Sequence, residues 1–239
     1  MKKIVMLCAV ALLALTAVLP TSALALDASA DAYVSVYSKY LWRGFDLSPD
    51  DSFVVQPGAD VSMGGFTVSW WGNVSENDGN MNEVDLVLDY SFDIGEMVSM
   101  SVGNIMYDVD GVKDTNELYV GATLNTILEP SLTVYYDYDE FKTLYTTLGI
   151  GHGYDINDQV SIGVGVTASY LVDDEDDGFG TDDSWLHNLE ISAGVGYTVT
   201  EQVSLSLDAL YSLPLSDDAE DNTGIDDEAT VGLTATFAF

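Results

Sequence analysis

The chain has 239 residues, with 40 Asp and Glu against 6 Lys and Arg, and a formal net charge of −34. Such a surface repels nucleic acid rather than binding it. Disorder, the usual partner of strong acidity, is excluded by 47% hydrophobic and 11% aromatic residues, so the acid has to be segregated from an extensive apolar surface.

The first residues have a different character from the rest. Lys2 and Lys3 precede an apolar run from Ile4 to Leu19, and Ala23-Leu24-Ala25 then places small residues before a cleavage point. This is the pattern of a secretory signal peptide over 1–25, which leaves an exported domain of 26–239. The one cysteine, Cys8, lies in that leader. Neither disulfides nor thiolate chemistry are then open to the exported domain.

From Phe66 to Ser75 the set Phe66, Val68, Trp70, Gly72, Val74 alternates with Thr67, Ser69, Trp71, Asn73, Ser75, a period of two that defines the faces of a strand. The alternation returns at 83–92, at 160–172 and in the final run, where Val231, Leu233, Ala235, Phe237 and Phe239 oppose Thr230, Gly232, Thr234 and Thr236. Along the chain it predicts about twelve strands of roughly ten residues. They fall near 32–45, 52–63, 66–76, 83–92, 97–107, 115–125, 131–139, 142–154, 160–172, 185–197, 203–213 and 228–239. Short turns alternate with polar loops, the longest being 173–184 and 214–227. No linker divides the strands.

A soluble sandwich buries such apolar faces in a shared core, whereas a transmembrane barrel turns them to lipid and closes on itself so that no backbone group is left unpaired in hydrocarbon. Export, an even strand count, short turns at one end, long loops at the other and a small or polar second face all favour the barrel. The expected fold is all-β, a transmembrane antiparallel up-and-down β-barrel of about 12 strands in the outer membrane. The last strand, ending in Phe239, resembles the closing strand by which such proteins engage the barrel-assembly machinery.

The stretch from Tyr37 to Ser75, followed by Asn82 to Phe92, resembles the start of the TorF-type porin family, also called the Gcw_chp conserved exported proteins. Tyr40, Arg43 and Gly44 match its aromatic-x-x-Arg-Gly pattern. Trp70, Trp71 and Asn73 match its Trp-rich third strand, and Glu83 and Asp85 the strand after it. The resemblance implies an outer-membrane barrel and leaves the solute open.

Arg43 and Lys39 are two of the few cations beyond the leader. A first strand running to residue 45 places both on the inward face, the phase that avoids about 2–4 kcal/mol for a cation facing lipid at mid-membrane. Glu228, Asp46 or Asp50 is the expected partner of Arg43. One reading is an ion pair that fixes the closing seam; the other is a positive constriction that touches solutes. Inward phases also place Asp60, Glu83, Asp85, Asp89, Glu117, Asp137, Glu190 and Asp208 in or near the lumen.

Asp173, Glu175, Asp177 and Gly178 occupy positions of a calcium-loop pattern, but Ser184 stands where the bidentate Glu belongs, and no helices flank the run. Weak, diffuse binding of divalent cations by the acidic loops is the alternative to solvated charge. A hydrolase needs a Ser beside an oriented His. Phase places His187 beside Trp185 among lipid headgroups with no serine on its face, and His152 is isolated among Gly149, Gly151 and Gly153. The sequence therefore supports a porin-like channel for small solutes or ions, narrow and cation-preferring, with acidic outer loops, no cofactor and no catalysis. A plugged structural or surface-interaction barrel is the main alternative, and a barrel hydrolase ranks below it.

Overall fold

The computed structural model describes residues 28–48, 52–76, 79–173, 179, 181 and 183–239. The leader expected over 1–25 lies outside the described residues, as do Asp50, Glu175, Asp177 and Gly178.

Twelve antiparallel strands close into one barrel. They are β1 (Ala28–Tyr37), β4 (Val54–Met63), β5 (Phe66–Ser75), β6 (Met81–Ile94), β7 (Val98–Val109), β8 (Thr115–Leu124), β9 (Ser131–Asp137), β10 (Leu144–Asp155), β11 (Val160–Val172), β12 (Ser184–Thr198), β13 (Val203–Pro214) and β14 (Glu228–Ala238). Each pairs with its chain neighbours, and β1 closes on β14 with Val34 opposite Ala235 and Tyr37 opposite Gly232. The start of β1 and the end of β14 share one end of the barrel with the short turns; the longer loops lie at the other. Two short strands, β2 (Leu41–Trp42) and β3 (Phe45–Asp46), form a separate hairpin.

The period of two is the reason for closure. Leu148, Val164, Leu186 and Leu233 are each more than half exposed on the outer face. The alternating inner positions are mostly Ser, Thr, Gly, Tyr and carboxylates. An apolar outside with a polar inside is stable when hydrocarbon covers the outside, and closure then satisfies every ladder N–H and C=O. At the short-turn end Phe66 packs on Tyr90 at 4.5 Å and Tyr90 on Phe92 at 5.7 Å between ring centroids, while Phe237 meets Phe239 at 4.8 Å. Amphipathic and aromatic rings belong at that interfacial depth.

Three expectations from sequence need correction. The first strand ends at Tyr37 rather than near 45, so Lys39 and Arg43 belong to the loop that follows. Secondly, the 214–227 loop contains a helix, α1 (Asp217–Thr223), with the Ser216 hydroxyl accepting from the Ala219 amide and Gly224 in the left-handed conformation at its end. Its Ala219 and the following Ile225 are buried with Tyr145, Leu171 and Trp185 in a small core at the long-loop end. The last correction is to β12. The register against β11 runs Leu189 opposite Ala168 but Leu186 opposite Tyr170, so His187 and Asn188 together face the single residue Ser169. This bulge reverses the phase of everything before it. Trp185 and His187 consequently point inward, 3% and 0% exposed, while Leu186 points out.

Candidate functional site

The segment from 38 to 48 does not extend away from the barrel; its hairpin turns into the lumen. At the tip, Trp42 pairs with Phe45 across a two-residue turn, Arg43-Gly44, with φ of 52° and 87°. Positive φ at both central residues is the signature of a type I′ turn, whose twist suits a tight hairpin. Glycine takes that conformation freely, and here a side chain would also meet Asn188. Arginine takes it at a cost that its surroundings have to offset.

Those surroundings are specific. Arg43 Nη1 and Nη2 donate to Glu117 Oε1 and Oε2 on β8 at 2.8 Å and 2.7 Å, a two-point carboxylate pair. Tyr107 donates its hydroxyl to the same carboxylate at 2.8 Å. The guanidinium carbon lies 4.4 Å from the Trp42 ring centroid, 4.7 Å from that of Tyr135 and 4.4 Å from that of Tyr145. Burial opposes the charge on Arg43, but the hydrogen bonds and charge of Glu117 outweigh it and hold the guanidinium above its ordinary range.

The backbone of the tip is held as well. His187 Nδ1 accepts from the Trp185 indole N–H at 3.3 Å, which leaves Nε2 to carry the proton and donate to the Arg43 carbonyl at 3.0 Å. Beside it Asn188, 1% exposed, accepts from the Tyr145 and Ser169 hydroxyls and donates to Glu190 and Ser212. The histidine expected among lipid headgroups is thus a clamp on the loop. The alternation assigns it the opposite face because the bulge leaves no mark on the sequence pattern.

At the stem, Lys39 Nζ bonds Glu228 Oε2 on β14 at 2.6 Å and Asp46 Oδ2 at 2.8 Å. Glu228, expected as the Arg43 partner, belongs to Lys39 instead. Tyr40 packs on Trp71 with centroids 5.4 Å apart. Burial, then the charges of Glu83 and Asp85, push its phenol up, so it remains a donor toward Glu83. Asn73 bridges Gln56 and Asn82 behind this contact, while Trp70 takes the opposite face of β5. Of the residues that carry the family resemblance, Tyr40 meets Trp71, and Arg43-Gly44 forms the turn.

Further carboxylates lie on the inner face of the barrel. Asp85 lies between Trp71 and Tyr107 in the sheet, with Oδ1 buried and lacking a hydrogen-bond partner. Asp89 accepts from Tyr119 and Ser91, and Asp137 from Thr115 and the amides of Asp139 and Phe141. Asp208 accepts from Ser206, and Asp60 faces Asp31 across β1 and β4. Asp31 lies on the first strand because that strand starts at Ala28, earlier than its apolar pattern suggests. Asp173, the first residue of the calcium-like pattern, instead accepts from the amides of Phe179 and Thr181 and from the Thr181 hydroxyl, and so ties its own loop.

The hairpin partitions the lumen. On the short-turn side lies a cavity of about 680 Å³ bordered by Tyr37, Lys39, Tyr40, Gln56 and Asp208. On the long-loop side lies one of about 350 Å³ bordered by Trp42, Arg43, Phe45, Glu83 and Glu117. Tyrosines of the inner wall lie flat: Tyr37 covers Gly232 and Tyr119 covers Gly103, where any Cβ would collide with the ring.

Fold and lumen together define a twelve-stranded β-barrel of the outer-membrane type with the hairpin that follows its first strand folded inside. No protein-family model matches the chain, and no curated protein matches it. Among solved structures it is similar to the NanC porin, at 13% identity with a TM-score of 0.55, covering 87% of this chain and 98% of that one. It is also similar to an outer membrane channel from Pseudomonas putida F1, at 12% identity with a TM-score of 0.52, covering 93% and 100%. A third similarity is to LpxR from Salmonella typhimurium, at 9% identity with a TM-score of 0.50, covering 87% and 99%. At these identities the likeness is one of fold.

Proposed function

We propose that the chain is an exported outer-membrane porin-like passage for small solutes, narrowed by the 38–53 loop and selective for cations. The observation that carries the reading is the hairpin itself. It stands across a closed barrel between two cavities, held by Arg43 to Glu117 and Lys39 to Glu228, and the remaining lumen is lined by carboxylates in excess of cations. A ring of fixed negative charge in a narrow pore concentrates cations and repels anions. The fold similarity to the NanC porin and the Pseudomonas channel is consistent with passage.

The barrel acts without catalysis in this reading, since both nitrogens of its buried histidine are engaged in holding the loop. We also assign it to the TorF-type family, supported by the contact that joins Tyr40 to Trp71. Residues 1–25 act as its export signal, the strand ending at Phe239 addresses the assembly machinery, and divalent cations associate weakly with its acidic loops.

One observation favours a second reading, a closed structural barrel. The clamp on Arg43 and the core under α1 fill one side of the long-loop end. Purified protein in a planar bilayer decides: discrete conductance steps are expected, and a silent barrel that remains folded would transfer the assignment to the structural reading.

A further inference from the structure

The cavity on the long-loop side has a chemistry that general passage of ions does not require. Its volume of about 350 Å³ lies in the range of pockets that enclose small organic molecules. Its wall is apolar, with Trp42, Phe45, Tyr107, Phe141, Leu171 and Phe179 around it. Its charged groups are Glu83, Glu117 and Asp137 against Arg43 and Lys113. Arg43 is already neutralised by Glu117, and Lys113, 78% exposed, is drawn to Glu140. Two positions later on the same face of β6, beyond the residues that line the chamber, Asp85 has a buried Oδ1 without a hydrogen-bond partner. The lining thus carries three carboxyl groups to two cations in an aromatic chamber.

We infer that this chamber is a recognition subsite for amphipathic organic monocations, an ammonium or guanidinium group carried on an apolar body of about one ring. The protein's own Arg43 illustrates the preference, since its guanidinium lies against the rings of Trp42, Tyr135 and Tyr145 with a carboxylate in its plane of donors. Aromatic faces attract such ions, and burial strengthens the attraction. Inorganic cations gain nothing from the apolar wall, and anions meet Glu83 and Asp137. The inference rests on the proposed passage only for its biological use; binding is a separate property of the chamber.

Calorimetric titration of the folded, full-length exported protein in detergent tests it, with benzyltrimethylammonium, tetramethylammonium and benzenesulfonate as probes. Benzyltrimethylammonium is expected to bind, tetramethylammonium more weakly and benzenesulfonate not at all. Glu83→Gln is expected to weaken the first about tenfold; if that variant does not fold, Phe141→Ala at the chamber's edge is expected to weaken it severalfold. Absence of benzyltrimethylammonium binding, equal binding of the sulfonate, or undiminished binding by the folded variant overturns the inference. Bilayer conductance of the same preparation separates the two readings: a barrel that conducts without binding loses the subsite and keeps the passage, whereas one that binds without conducting keeps the subsite and loses the passage.

Discussion

Arg43 and Glu117 come from loop and strand 74 residues apart in sequence, yet meet through two hydrogen bonds of 2.8 Å and 2.7 Å inside the barrel. Their side chains are 13% and 5% exposed, so neither charge is well hydrated without the other. Loss of one member of a buried pair costs about 3–5 kcal/mol because the survivor is left uncompensated. Arg43→Ala is therefore expected to lower the urea midpoint of unfolding strongly, and the double variant Arg43→Met with Glu117→Leu to recover much of the loss. If the single variant unfolds like the parent while its conductance changes greatly, the pair serves solutes rather than the fold.

The turn that presents Arg43 gives a second expectation. Gly44 has φ of 87° and its position is crowded by Asn188. Gly44→Ala adds left-handed strain of about 1–2 kcal/mol together with that contact. The hairpin tip is expected to loosen while the barrel remains closed. Faster hydrogen exchange confined to residues 38–53, with unchanged heat-modifiable migration, is the measurable outcome.

How much of this was readable in the sequence depends on what fixes each feature. Strand number, closure and the inner and outer faces follow from a local period, and Phe66 to Ser75 declares its two faces without any neighbour. The loop hairpin depends on partners distant in the chain: nothing near Arg43 names Glu117, and the apolar-polar rhythm through Tyr40 and Trp42 imitates a continuing strand. The reversal at His187 is a one-residue bulge, and alternation has no memory of a skipped position. By contrast α1 did leave a signal, Ser216 before an acidic first turn and Gly224 after the last, masked by a composition that also suits an open acidic loop.

His187 restrains the loop through its backbone. The ring donates to the Arg43 carbonyl and also packs on Phe45 at 5.5 Å and on Tyr145 at 5.9 Å. His187→Ala leaves that carbonyl without its partner, at a cost of about 1–3 kcal/mol. Because the barrel ladder is untouched, the expected effect is on the hairpin, seen as larger or noisier single-channel steps. Unchanged steps would mean that Arg43 to Glu117 alone sets the bore.

The flat tyrosines keep their rings against the wall of the short-turn cavity. A Cβ at residue 232 would collide with the Tyr37 ring, which borders that cavity. Gly232→Ala is expected to lift the ring off the wall and to reduce conductance with little change in ion preference. An undiminished conductance would show that the narrow point lies at the hairpin, not along the wall.

Ion preference is the most direct test of the charge arrangement. Lys39 is bound by Glu228 and Asp46, and Arg43 by Glu117, so the loop's cations are matched where they stand. Asp31, Asp60, Asp89 and Asp208 line the lumen on the short-turn side of the hairpin, and Glu83, Asp85 and Asp137 lie on the side of the acidic loops. A cation crossing such a barrel would meet carboxyl groups on both sides of the hairpin. An anion must pass the same carboxylates to reach two cations that are already paired. Screening sets the range of this field, with a Debye length of about 30 Å in 0.01 M salt and about 3 Å in 1 M. The reversal potential across a potassium chloride gradient is accordingly expected to favour potassium, most strongly in dilute salt, and to approach neutrality as salt rises. Glu83→Gln together with Asp85→Asn should reduce the preference without closing the pore. A clear chloride preference in dilute salt would mean that Arg43 and Lys39 govern passage from the narrowest point, and that their pairing leaves enough positive potential to outweigh the surrounding acid.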